Sequence, residues 1–221
     1  LHSFPTRRSS DLTLYINPAL INTYQQIRDD VSTVMNLLGE YDSGLANSDD
    51  AKAYYYEMRD RYNGKLRAGL PDAESAALLI FLNKHCFNGL YRVNKAGLFN
   101  VPYNNSVAAS FDEKNLLAVS SYLQSVEILN GDFEQACADC KEGDFVFFDS
   151  PYAPINPTSF ESYTKEGFEK EDHERLSRLF RELDSRGCLC MLTNHNTELI
   201  RELYQGYSVD EVQVRRSINR N

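Results

Sequence analysis

From residue 125 onward, short strand-type runs alternate with helical stretches, and that alternation most restricts the fold. SVEIL (125–129) precedes a helix near 133–140, DFVFF (144–148) precedes a long charged helix near 169–186, CLCMLT (188–193) precedes a helix near 197–204, and YSVDEVQV (207–214) reads as a further strand. Apolar strands separated by helices argue for a parallel sheet covered on both faces. A length of 221 residues suits one α/β domain carrying an insertion. The longest apolar runs fall well short of the ~20 residues of a membrane span, so a membrane partner is not expected. Five cysteines, an odd and sparse set, fit a reducing compartment rather than a disulfide scaffold.

The first half reads as helices. Asn17-Pro18 is a helix start, with Asn as the cap and Pro at the first helical position. Leu20, Ile21, Tyr24, Ile27, Val31, Val34, Met35 and Leu38 then keep one apolar face up to Gly39. Residues 40–50 read as a loop, with helices at about 50–62, 73–85 and 111–124 and an irregular Gly- and Asn-rich stretch at 86–110. The expected organisation is a helical insertion at 45–124 set into an α/β domain of residues 13–44 and 125–221. Charge follows the same division. Residues 61–103 hold six Lys/Arg (61, 65, 67, 84, 92, 95) against two acids (72, 74), while the whole chain carries −9. A basic insertion on an acidic body suits a polyanion reader attached to an enzyme, though chance clustering of surface charge gives the same pattern.

The residues that point to chemistry are Asp149-Ser150-Pro151-Tyr152, directly after DFVFF. Ligands of open parallel sheets bind beyond the carboxyl ends of strands, and this tetrapeptide stands at such an end. The Asp149 carboxylate and the Ser150 carbonyl can each accept one hydrogen of an exocyclic amine, turning the nitrogen lone pair away from its ring. Tyr152 can stack on a planar base, and Pro151 restricts the chain between them. A plain Asp-Ser-Pro turn explains the same tetrapeptide equally well. Cys137-x-x-Cys140 lacks a second ligand pair. Cys188 and Cys190 read as core, and the histidines show no ligand spacing, so no metal is expected. No Pro-Cys nucleophile and no G-x-S-x-G elbow occurs.

A longer pattern joins the tetrapeptide. HCFNGLYRVNKAGLFNVPYN (85–104) and FDSPYAP (148–154), with Gly131-Asp132-Phe133, Thr193-Asn194-His195-Asn196-Thr197 and Val214-Arg215-Arg216-Ser217-Ile218, resemble the Dam-like DNA adenine methyltransferases in family order over about residues 14–221. The resemblance implies a Rossmann-like S-adenosylmethionine-dependent α/β core with a helical target-recognition insertion at 45–124. It implies methyl transfer from S-adenosylmethionine to the N6 amine of adenine at a specific, GATC-like site in double-stranded DNA, without a metal. Asp149, Ser150, Pro151 and Tyr152 would form the catalytic set. Asp132 and Phe133 would hold the adenine end of S-adenosylmethionine, with Asp149 near its methyl. Arg92 would read a guanine through two hydrogen bonds. Phe87 and Leu90 would press into the opened base step, and Pro102 would meet a thymine methyl. Asn88, Asn94 and Asn100 complete the DNA-contacting set, and Arg215 and Arg216 would lie near phosphates. Without the resemblance, Phe87 and Leu90 are ordinary core residues. A monomer in the cytoplasm, associated with the nucleoid, is the expected state, in a restriction-modification, repair or phage setting.

Several family features are out of place. Residues 1–12, LHSFPTRRSSDL, resemble sequencing-adapter read-through and are set aside as an artefactual tail. The family's aromatic-x-Gly-x-Gly cofactor loop and an N-terminal Lys segment would precede residue 13. The acid expected to grip the cofactor ribose is replaced by Tyr15, and Ser150 stands where Pro is commoner. A chain cut at both ends, with a weakened cofactor pocket and no activity, is therefore the expectation. A non-catalytic DNA-binding remnant, or an amine methylase of N4-cytosine, RNA or protein glutamine, stays open on the residues alone.

Overall fold

The structure is a computed structural model that describes residues 11–15, 17–69, 71–155 and 168–213. The chain divides into two compact units that separate between Ala136 and Cys137.

The first unit begins with β1 (Asp11–Tyr15), two residues inside the segment set aside as a tail. The chain then enters α1 (Pro18–Asp29), where the Asn17 side chain accepts from the Ala19 amide and Pro18 opens the helix as expected. The single helix expected up to Gly39 is in fact two. At Asp30 the backbone leaves helical angles, its N–H closes α1 on the Gln26 carbonyl, and its carboxylate accepts from Thr33 N to open α2 (Val31–Ala46). Gly39 does not end α2. Val34, Leu38, Tyr41 and Leu45 keep one buried stripe across it, and their burial outweighs the ~1 kcal/mol that a helical glycine costs.

Helix α3 (Ala51–Ala68) runs from an Asp50 cap to Gly69, whose left-handed φ of 62° forms the stop. The expectation ended this helix six residues early. Helix α4 (Ala73–His85) matches its expected span. It opens with an Asp72/Ser75 capping box and is buried nearly all round, as befits the central helix of a bundle. Arg61 and Lys65 of α3 pair with Glu74, and Lys65 also reaches Asp72 at 2.5 Å. Helix α5 (Glu113–Leu123) leads into β2 (Val126–Asn130), which pairs in parallel with β1 in the register Tyr15↔Asn130. The short α6 (Phe133–Ala136) follows. Helices α1 to α5 share one core. Tyr41 of α2 meets Phe81 of α4 edge-on at 5.9 Å between ring centres. The packing therefore does not break at 44/45, where the boundary of a separate insertion was expected.

In the second unit β3 (Phe145–Phe148) and β4 (Leu189–Leu192) are parallel, with Phe148 beside Leu192. Between them in sequence lies α7 (Lys170–Ser185), and α8 (Glu198–Leu203) follows β4. Leu176, Leu179, Phe180 and Leu183 of α7 are buried, and Phe180 packs on Phe148 at 6.0 Å. The other face, carrying Phe145, Phe147, Leu189 and Met191, is exposed among the described residues. The described strands form two parallel pairs, one in each unit. One feature differs from expectation. Residues 207–213 do not form a strand: Tyr207 closes a turn onto Tyr204 with its ring on Phe180.

Candidate functional site

Asp149 is the first residue after β3 and Thr193 the first after β4. Because Phe148 and Leu192 are register partners, the two fall side by side. The ladder continues one step, with Thr193 N donating to Phe148 O at 3.1 Å. Thr193 Oγ1 donates to Asp149 Oδ1 at 2.8 Å. Asn194 Oδ1 accepts from Ala153 N at 2.8 Å, and its amide nitrogen donates to Ser150 Oγ at 3.4 Å. His195 Nδ1 meets the Ala153 carbonyl at 2.7 Å. A carbonyl only accepts, so Nδ1 carries the proton. The His195 ring also stands edge-on to Tyr152 at 5.0 Å. The segment 149–153 is thus held along its length by 193–195.

The Asp149 side chain and the Tyr152 ring are exposed, Ser150 is half-buried and Ala153 is fully buried. No described group donates to the Ser150 carbonyl. The Asp-Ser-Pro tight turn considered above does not form; 151–154 has no regular structure, as Pro151 pushes Ser150 toward extended backbone. An exposed carboxylate, an available carbonyl and an aromatic ring together make a surface for a planar amine.

In the first unit, residues 85–104 form a narrow excursion from the end of α4. Cys86 bridges Tyr103 and Val93 bridges Phe99, both antiparallel. Phe87–Gly89 is a single 3₁₀ turn in which Asn88 and Gly89 have positive φ (54° and 61°), and that turn swings the neighbouring side chains outward. Phe87 and Leu90 are 48% and 47% exposed, which removes their reading as core residues. Pro102 is also exposed. Arg92 lies at the surface, with Nε donating to Asn100 Oδ1 at 2.8 Å. Asn94 builds the tip: its Oδ1 accepts from Ala96 N and Leu98 N. Asn100 and Asn94 therefore shape the segment that presents Arg92.

Sequence reasoning missed the residues that anchor this segment from beneath. The Asn63 amide of α3, 6% exposed, donates to Phe99 O at 3.0 Å and accepts from Phe99 N at 2.9 Å, acting as one rung of a strand ladder. Tyr55 donates to Val101 O at 2.9 Å. A lone amide beside the stripe Tyr55, Met58, Tyr62 was the available signal. Thr193 and Asn194 were visible as part of a motif, but their roles were not.

Asp132 stands at the carboxyl end of β2, where Gly131 has φ 154°. Its Oδ1 accepts from Glu134 N at 2.9 Å and its carbonyl accepts from Ala136 N, so it starts α6 with Phe133 half-buried beside it. Tyr15 ends β1 opposite Asn130. Arg215 and Arg216 lie outside the described residues. Burial, with help from the neighbouring thiols, pushes Cys137 up to about 12 and Cys190 up to about 11, so these sulfurs are inert thiols at neutral pH. No group of three or more potential ligands is placed to hold a metal among the described residues.

The family model described as D12 class N6 adenine-specific DNA methyltransferase matches residues 8–218. The chain is 41% identical over 209 residues to "Type II methyltransferase M.MjaIII" of Methanocaldococcus jannaschii, covering 92% of this chain and 72% of that protein. It is 37% identical over 205 residues to "Type II methyltransferase M1.LlaDCHI" of Lactococcus lactis subsp. cremoris, covering 91% and 70%. It is 31% identical over 212 residues to "Retron Ec67 DNA adenine methylase" of Escherichia coli, covering 95% and 70%.

Proposed function

The chain belongs to the D12 class of N6 adenine-specific DNA methyltransferases, and from that premise we propose which of its residues do what. The family sets the reaction: S-adenosylmethionine is the methyl donor and adenine in DNA the acceptor. It also sets a methyltransferase fold of mixed helix and sheet. We read the finer architecture as a Rossmann-like core, with the helical body supplying target recognition within residues 45–124.

The catalytic set is Asp149, Ser150, Pro151 and Tyr152. Asp149 Oδ2 accepts one amine hydrogen and the Ser150 carbonyl the other, which frees the N6 lone pair from conjugation with the ring. Tyr152 stacks on the extruded base, and Pro151 holds the spacing. S-adenosylmethionine, when bound, would supply an electrophilic methyl group on a cationic sulfur. Asp149 and the Ser150 carbonyl would hold the amine so that its lone pair faces that methyl, and the Asp149 carboxylate would pass the surplus amine proton to water. Positioning and electrostatics supply the rate. Asp132 and Phe133 fit the adenine end of the donor. Asp132 stands at a strand's carboxyl end, where such ligands bind, and Phe133 offers a half-buried ring for stacking. On this reading Arg92 faces a guanine, Phe87 and Leu90 the opened step, and Pro102 a thymine methyl, with Asn88, Asn94, Asn100, Arg215 and Arg216 in supporting contact. A site in duplex DNA resembling GATC is the substrate, and one chain acts alone.

The observation that carries the catalytic assignment is the Asp149 carboxylate, fixed at the end of β3 by one oxygen and exposed. In the full-length protein, Asp149→Ala should lower methyl incorporation into an adenine-containing duplex by ~10²–10³-fold. Affinity for the same duplex should stay within a few-fold. Unchanged incorporation would overturn the assignment.

A further inference from the structure

We propose that Thr193 is a positioning residue of the methyl transfer, fixing the Asp149 carboxylate so that one set oxygen faces the adenine amine. The proposal deepens the catalytic reading of Asp149 given above and rests on it. Its basis is the sheet itself. Phe148 and Leu192 are register partners and the ladder extends to Thr193 N, so residues 149 and 193 stand on neighbouring strands about 4.8 Å apart. That separation brings a hydroxyl on one within reach of a carboxylate on the other. The bond measures 2.8 Å, and Thr193 is the hydrogen-bond donor to Asp149 among the described residues. A β-branched side chain is stiff at χ1, so the hydroxyl is aimed rather than free to wander.

A terminal carboxylate has a soft χ2 and two equivalent oxygens. Left alone on an exposed strand end, Asp149 would offer either oxygen over a broad range of angles. Engaging Oδ1 removes that freedom and leaves Oδ2 for the amine hydrogen. The residues after Thr193 hold the rest of the segment in the same frame. Asn194 takes Ala153 N and reaches Ser150, and His195 takes Ala153 O and braces Tyr152. Of these three, Thr193 is the one that bonds the Asp149 carboxylate, which makes its effect separable from theirs.

The test compares initial rates of methyl incorporation for the full-length protein and for its Thr193→Val, Thr193→Ser and Asp149→Ala variants, each over a range of duplex and S-adenosylmethionine concentrations. Thr193→Val keeps the shape and loses the donor. Its kcat should fall about 10²-fold, the scale of a mispositioned reacting group, while both KM values stay within about 3-fold. Thr193→Ser keeps the donor, and its kcat should return to within about 5-fold of the parent. A Val variant that turns over at the parental rate overturns the proposal. So does a Ser variant as slow as Val, since the methyl group's packing would then be what matters. If Asp149→Ala is inactive while Thr193→Val is fully active, this proposal fails alone. If Asp149→Ala is itself fully active, the catalytic reading beneath it fails.

Discussion

At the scale of the residue, the informative contacts are those in which one side chain decides what another can do. Arg92 is exposed and is held by Asn100 alone among the described residues, Nε donating to its side-chain oxygen and Nη2 to its carbonyl at 3.4 Å. Read as the reader of a guanine, Arg92→Ala should reduce discrimination at one base pair by about 1–3 kcal/mol. Methylation of duplexes carrying single substitutions in the site would show it. Lys84→Ala and Lys95→Ala should instead weaken binding to every duplex alike. Equal loss on all duplexes with Arg92→Ala would make Arg92 a phosphate anchor. Asp149 and Tyr152 stood out as candidates in the sequence because an acid followed by an aromatic at a strand's end is a local signal, whereas Arg92 and Phe87 became candidates only through the family resemblance. Thr193 and Asn63 were not legible in that way. Each acts on a partner 44 or 36 positions away, and only the parallel register or the helix packing brings the pair together.

At the scale of the element, α4 and the strands β2, β3 and β4 were readable to within about a residue because their apolar patterns end abruptly, at Asp72 and Cys86 for α4 and at Asp149 for β3, whereas β1 and the run at 207–213 were not. Nor was the α1/α2 break. Asp30 is a polar residue on the solvent side of a stripe that runs unbroken from Ile27 to Val31, so periodicity passes over a cap that serves two helices at once. Glycine misled for the opposite reason: Gly39 sits inside α2, whereas Gly69 ends α3 because the chain takes a left-handed turn there. Helix α3 earns its extra length by carrying Asn63 to the Phe99 backbone. Asn63→Ala would leave the buried Phe99 N–H and C=O unpaired, and urea unfolding should show a loss of about 2–4 kcal/mol. Tyr55→Phe, which frees a single carbonyl, should cost about 1 kcal/mol. An Ala variant as stable as the parent would mean that the excursion at 85–104 is held by its own turns.

At the scale of the whole molecule, each compact unit contains a histidine that burial pushes below its ordinary range, His85 in one and His173 in the other. The unfolded chain takes up those protons more readily than the folded one. Their contribution to stability is therefore complete above about pH 6.5 and declines as pH falls through the lower folded values. Glu74, held below the usual carboxylate range by the Lys65 ammonium and the Arg61 guanidinium, adds a further loss in stronger acid. The melting temperature by circular dichroism should be flat between about pH 6.5 and 8, drop on acidification, and fall again in alkali as the unfolded chain's thiols ionise ahead of Cys137 and Cys190 in the folded one; a rise between pH 7 and 5 would contradict this. The pairing of α3 with α4 has another consequence, in the ionic atmosphere of a nucleic acid. Arg61 and Lys65 are already neutralised by Asp72 and Glu74, so a duplex approaching this unit finds Arg67, Lys84, Arg92 and Lys95 without acidic partners among the described residues. Each of these four that meets a phosphate displaces about one condensed counterion, and the paired two displace none. On the proposed reading of this bundle as the DNA reader, the helix contact that shapes it limits how steeply its affinity for DNA responds to salt.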